Sequence, residues 1–106
     1  KINGVELIEP LTYCRSNYWL NVVRIKKLNY TKLIELINFF DKNNIETRPL
    51  WYPNHKQIPF KKFQSFNITY TNKIINHCIC LPSSPSLQFK DIDKIINLLV
   101  IFLRKL

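Results

Sequence analysis

A helix-period apolar stripe lies between two stretches of strand composition, and this alternation constrains the fold more than any other feature. Residues 18–25 carry Tyr18, Trp19, Val22, Val23 and Ile25, aromatic and β-branched side chains suited to a strand covered on both faces. Asn29 then stands where an N-cap would, and Tyr30, Leu33, Ile34, Ile37 and Phe40 follow at helical spacing. Lys42, Asn43 and Asn44 close this helix, because Asn tolerates the left-handed conformation of helix C-termini. Residues 45–48 read as a short strand stopped by Pro49. From 49 to 59, Pro49, Pro53 and Pro59 with Trp51 and Tyr52 make a stiff, irregular loop. A second helix is predicted over about 69–76, a third strand over 78–81 and a turn at Pro82-Ser83-Ser84-Pro85. The last helix is predicted over about 89–105, with Phe89, Ile92, Ile96, Leu99 and Leu103 on its buried face. Residues 1–13, with Gly4 and Pro10, are an entry segment with room for one short strand.

That order specifies an α/β chain: a small two-layer domain of about three short strands packed with about three helices. With 106 residues, 46% of them hydrophobic, the chain can build one core and is not a disordered basic tail. A single small domain over 1–106 is the expected organisation. There is one Gly, and no Gly-rich phosphate loop follows any strand, so a free-standing nucleotide fold is disfavoured. The absence of Met and a first residue of Lys1 point to a processed chain or a piece of something longer.

The formal charge of +9 invites a nucleic-acid reading, since clustered basic residues gain affinity by releasing counterions. The basic residues do not cluster. Lys26-Lys27, Lys61-Lys62 and Arg104-Lys105 are the only adjacent pairs, and they lie far apart. Solvated Lys faces account for the charge better than a nucleic-acid footprint, so nucleic acid is not an expected partner. A stand-alone basic module for nucleic acid or another polyanion is the alternative, resting on the charge and on aromatics near Lys56, Lys61 and Lys62. The longest apolar run, 92–103, is broken by Asp93, Lys94 and Asn97, so no membrane partner is expected. Three Cys, an odd number, suit a reducing cytoplasm.

Three constellations could carry chemistry. His77, Cys78 and Cys80, completed by His55 or Cys14, have the right ligand types for Zn²⁺. Their spacing is wrong for a zinc knuckle, and core packing of the two strand cysteines is favoured, with no metal site expected. Cys14 as a nucleophile lacks an evident activator beyond Arg15, and an ordinary partly buried Cys is the favoured reading. The segment 46–57 is the least core-like. Its strand delivers Arg48, and its prolines stiffen a loop displaying Trp51, Tyr52, Asn54 and His55. Arg offers a planar fork for carboxylate or phosphate, His exchanges protons near neutral pH, and rings stack on a sugar or base. Equally open from residue types alone is the bland alternative, in which Trp51 and Tyr52 plug the core while Arg48 pairs with a carboxylate.

Three motifs in this order resemble the PLP-dependent sugar-nucleotide aminotransferases of the DegT/DnrJ group. They are Ser16-Asn17-Tyr18-Trp19-Leu20-Asn21, Thr47-Arg48-Pro49-Leu50-Trp51-Tyr52-Pro53-Asn54-His55, and Cys80-Leu81-Pro82-Ser83-Ser84-Pro85-Ser86-Leu87 with Asp91-Ile92. The resemblance spans essentially the whole chain and implies the C-terminal small domain of an aspartate-aminotransferase-like fold. It implies that the complete enzyme moves an amino group, usually from glutamate, onto a nucleotide-linked keto-sugar in glycan or polysaccharide biosynthesis. It also implies a homodimer and PLP held by a large domain that carries the cofactor lysine. That domain is missing here, so the chain alone is expected to bind no cofactor, hold no catalytic residue and be inactive. Arg48, Trp51, Tyr52, Asn54 and His55 become the expected substrate-binding residues. Two positions depart from the family pattern: Gln88 stands where Ser or Thr often caps the last helix, and Asn67 lies near a position often occupied by Pro.

Overall fold

The computed structural model describes residues 2–106. Four strands, β1 (Val5–Leu7), β2 (Asn21–Ile25), β3 (Arg48–Pro49) and β4 (Cys78–Leu81), form one antiparallel sheet in the order β1-β2-β4-β3. Three helices accompany it: α1 (Tyr30–Asp41), α2 (Thr69–Ile74) and α3 (Phe89–Leu103). Short 3₁₀ turns at Asn54–Lys56, Ile58–Phe60 and Ile75–His77 complete the order. The α/β two-layer expectation holds, and the entry segment supplies the fourth strand.

β2 and β4 are central and pair Val23 with Ile79. Val23, Ile25 and Ile79 pack against Leu33, Leu36 and Phe40 of α1 and Ile95, Leu99 and Phe102 of α3. Fully burying a side chain of this size stabilises by about 1.5–3 kcal/mol, so this cluster carries the fold. By strand alternation the opposite face takes Glu6, Arg24, Cys78, Cys80 and Arg48, which are cross-strand partners in the register. There Glu6 pairs with Arg24 at 3.3 Å and Lys26 at 2.8 Å. The Lys26 hydrogen bond, opposed by desolvation and helped by the charges of Lys26 and Arg24, lowers the Glu6 carboxyl below its ordinary range.

Caps follow local chemistry. Asn29 Oδ1 accepts the Lys32 N–H at 2.9 Å, the expected N-cap of α1. Asn44 exits that helix at φ 58, and the Ile45 N–H bonds back to the Phe40 carbonyl at 3.0 Å. Ile45 therefore belongs to the helix exit, which shortens the predicted 45–48 strand to Arg48–Pro49. Pro49 is inside that strand rather than beyond it, and it is tolerated because β3 is an edge. Gln88 proves a sufficient start for α3, because the Asp91 carboxylate accepts its N–H at 3.0 Å. At Asn67 the backbone takes φ 48, a conformation closed to Pro, which fits the departure at that position.

The predicted buried face of α3 needs correction. Of that face Leu99 is buried and Leu103 packs against the core, but Phe89, Ile92 and Ile96 are exposed, and Ile95 and Phe102 are buried with Leu99 instead. The helix carries two apolar stripes, and the sheet takes the one offset from the expected phase. The other stripe, through Ile92 and Ile96, lines an apolar groove with Leu7 and Ile8. Likewise α1 buries Leu36, and Tyr30 of its expected stripe faces outward.

Candidate functional site

Trp19 is held at both ends of its residue. Its N–H donates to Asn17 Oδ1 at 3.1 Å, and its carbonyl accepts from Ser83 Oγ at 2.6 Å. Tyr18 precedes it at φ 52, unusual for a bulky side chain, with its N–H on Ser16 Oγ at 3.0 Å. This kink falls inside the first motif and delays the strand, so β2 starts at Asn21, the motif's last residue, rather than at 18. Ser83 belongs to the turn after β4, so the first and third motifs are tied together through Trp19.

The second motif meets them at β3. Trp51 approaches Trp19 with ring centroids 5.8 Å apart and planes inclined by 57°. Arg48 is largely exposed, and its Nε and Nη2 both donate to Glu46 Oε1, at 2.9 and 2.6 Å. A cavity of about 500 Å³ lies at this end of the sheet, between the strands and α3. All three motifs line it, with Trp19 and Leu20 from the first, Thr47 and Arg48 from the second, and Pro82, Ser83, Ser84, Leu87 and Asp91 from the third. Its size is that of a small-ligand site. Arg48 also lines a second cavity of about 590 Å³ with Trp51, Tyr52, Lys56, Tyr30 and Asn72.

The expected site residues thus divide. Arg48 joins both cavities, and Trp51 and Tyr52 line the second. Trp51 and Tyr52 are exposed, so they do not plug the core, although Arg48 does pair with a carboxylate. Asn54 and His55 line neither cavity. Asn54 Oδ1 and the Tyr52 carbonyl accept from Gln57 Nε2 at 3.1 and 2.8 Å, which staples the loop over buried Pro53. His55 is half-buried, and its Nε2 is buried without a partner among the described residues. Sequence reasoning passed over Trp19, Thr47, Ser83 and Lys94 as site residues. Trp19 stood inside a quoted motif, but nothing one-dimensional placed it beside Trp51.

Cys78 and Cys80 are buried in the sheet, and burial raises both thiol pKa values, opposed by the charges of Arg24 and Arg48 respectively. They act as core side chains. Cys14 is exposed rather than partly buried. No group of three His, Cys, Asp or Glu side chains converges among the described residues.

The family profile described as DegT/DnrJ/EryC1/StrS aminotransferase matches residues 2–100. The chain belongs to that family. Solved structures agree in fold. Spr1654 of Streptococcus pneumoniae, a candidate sugar aminotransferase solved in PMP form, superposes with a TM-score of 0.80 at 18% identity. That match covers 96% of this chain and 26% of Spr1654, which has also been solved in PLP form. The aminotransferase TlmJ of Streptoalloteichus hindustanus gives 0.79 at 16% identity, covering 98% of this chain and 27% of TlmJ. The sugar aminotransferase CalS13 of Micromonospora echinospora gives 0.73 at 12%, covering 92% and 25%. This DegT/DnrJ-family chain therefore spans about a quarter of the length of the solved structures it matches.

Proposed function

We propose that this chain is the small C-terminal domain of a PLP-dependent aminotransferase acting on a nucleotide-linked keto-sugar in cytoplasmic glycan or polysaccharide biosynthesis. The carrying observation is the convergence of all three family motifs on one cavity. The lysines that line the two cavities do not suit PLP. Lys94 and Lys56 are both exposed, and Lys94 Nζ donates to the Asn43 carbonyl at 3.0 Å. A cofactor lysine needs a desolvated setting that lowers its pKa. In the complete enzyme PLP would supply the electron sink for amino transfer, held by a large domain outside this chain. The small domain, in a homodimer with glutamate or a similar amino donor, would close over substrate with Arg48, Trp51, Tyr52, Asn54 and His55 facing it.

The test has two arms. The chain alone, mixed with PLP, is expected to show no stoichiometric adduct fixed by borohydride at a single lysine and no amino transfer. Such an adduct would overturn the assignment of the cofactor lysine to another domain. Fused to a family large domain, the chain is expected to restore transfer from glutamate to a nucleotide keto-sugar. There His55→Ala should lower turnover about 10-fold or more with thermal unfolding unchanged. Loss of folding instead would make His55 structural. Tight, salt-steep binding of a single-stranded oligonucleotide by the chain would favour the polyanion module.

A further inference from the structure

We propose that the stretch following β3, residues 56–73, is a docking surface for an anionic lipid bilayer. Ile58, Phe60, Phe63 and Phe66 enter the boundary between headgroups and acyl chains, while the neighbouring lysines meet lipid phosphates. The proposal goes beyond the aminotransferase reading and does not rest on it.

Four observations converge. First, the basic residues are scattered along the chain but the acidic ones are not. Residues 47–90 hold six Lys and Arg and no Asp or Glu, so +6 of the formal +9 falls in this stretch. Lys56, Lys61, Lys62 and Lys73 are exposed, and the ion pairs among the described residues use Arg24, Lys26, Lys32 and Arg48 instead. Uncompensated positive charge of this kind is complementary to an anionic surface. Second, apolar side chains protrude between these lysines. Ile58 and Phe66 are each 86% exposed, Phe63 62% and Phe60 44%. Single exposed apolar residues are ordinary, but four within nine residues mark an interaction surface. Third, the backbone that presents them is set by its own hydrogen bonds. The Phe60 and Lys61 N–H groups donate to the Gln57 carbonyl at 2.9 and 3.0 Å, and the Phe63 N–H to the Phe60 carbonyl at 3.0 Å. Gln57 Nε2 ties this knob to the Tyr52 carbonyl at 2.8 Å. Within it the Phe60 and Phe63 rings lie 6.5 Å apart, with Lys62 Nζ 5.5 Å from the Phe63 centroid. Fourth, the alternation of Lys with apolar groups decides the occupant. The core of a protein interface is depleted of Lys, because each ammonium must be desolvated or given a carboxylate. At a lipid surface the apolar groups enter and the lysine stems snorkel to phosphate and water. Nucleic acid fits less well, since Ile58 cannot stack on a base and the Phe60 and Phe63 planes are inclined by 45°. No helix of the described residues is long and apolar enough to cross a membrane, and surface docking requires none.

The full 106-residue chain is sedimented with vesicles of phosphatidylcholine alone and of phosphatidylcholine mixed with phosphatidylglycerol, in about 0.1 M salt. Partition onto the anionic vesicles is expected to exceed that onto neutral ones by about 10-fold or more. Each lysine near such a surface is worth about 5-fold, so Lys61→Gln with Lys62→Gln should weaken partition by about 10- to 25-fold. Lys27→Gln with Lys42→Gln removes the same charge outside the segment and should weaken it by about 2-fold or less. Phe66→Ala should weaken it by about 5-fold, with the melting temperature unchanged. Equal binding to both kinds of vesicle, or none, would overturn the proposal. Equal losses in the two lysine pairs would do the same, by reducing the effect to overall charge, and so would parent affinity in Phe66→Ala. Tighter binding to a single-stranded oligonucleotide than to anionic vesicles would assign the segment to nucleic acid. Self-association abolished by Ile58→Ala, without vesicle binding, would make it a contact between copies of the chain. None of these outcomes would disturb the aminotransferase reading, which stands or falls on turnover of the fused enzyme.

Discussion

The sheet centre and the stretch following β3 contain the same kinds of side chain and use them in opposite ways. Leu36, Phe40 and Ile79 are wholly buried, whereas Trp51, Ile58, Phe63 and Phe66 are 62–86% exposed. Hydrophobicity does not separate the two groups; backbone partners do. β2 and β4 are hydrogen-bonded on both sides and lie under two helices, so alternate residues reach a shared core. Residues 50–67 leave the sheet after a two-residue edge strand and run through 3₁₀ turns, so most of their apolar groups, buried Pro53 and half-buried Leu50 apart, have no opposing layer. One region makes the fold, and the other displays an apolar surface of the kind that meets a partner or ligand.

The sharpest break of this comparison is a matched pair of phenylalanine substitutions. Phe40→Ala removes a side chain of zero exposure from between α1 and the sheet. It should cost about 3–5 kcal/mol, much of the stability of a small domain. Phe66→Ala, at 86% exposure, should change stability by no more than about 0.5 kcal/mol. Urea unfolding followed by circular dichroism measures both. A loss at Phe66 comparable to that at Phe40 would mean that residues 50–67 belong to the folding core.

The thiols give a second, smaller contrast that needs no mutation. Cys14 is exposed while Cys78 and Cys80 are buried, so a thiol reagent should modify one site at once. The other two should lag by about 100-fold or more, because they wait for opening. The raised pKa values of Cys78 and Cys80 carry a definite sign. Their neutral forms are favoured in the folded state, so that contribution is complete below the unfolded thiol pKa. It is lost as pH rises through the unfolded and then the folded value. Stability should therefore fall on the alkaline side, and a double Cys→Ala variant should flatten that limb. An unchanged limb would assign the alkaline loss to other groups.

How much of this was legible beforehand depends on which interaction decides each feature. Asn29, Asn44 and the helical period of α1 speak through local chemistry, and they stand where the residue types put them. The buried phase of α3 could not be read, because Ile95-Leu99-Phe102 and Phe89-Ile92-Ile96 are both acceptable stripes and only the sheet chooses between them. The short β3 is a similar case, since Ile45 is captured by the carbonyl of Phe40. Of the site, Arg48 was visible as an unusual residue at a strand end. Thr47 was not, because an unpartnered hydroxyl becomes evident only once burial is known. Trp19 needed the long-range bond from Ser83 to become a wall.

The smallest effect tests whether the exposed region has an order of its own. Asn67 holds φ 48 within the exposed segment before α2. Proline cannot reach that angle, so Asn67→Pro should cost about 1 kcal/mol even though the surrounding side chains are largely in water. Glycine reaches it freely, and Asn67→Gly should stay within about 0.5 kcal/mol of the parent, since relief of strain is offset by a more flexible unfolded chain. Thermal melts of the two variants decide the point. If both match the parent, this segment has no preferred backbone and its aromatics are a loose fringe. If only the proline variant falls, the loop is conformationally set, and its exposed rings are held in place before anything binds them.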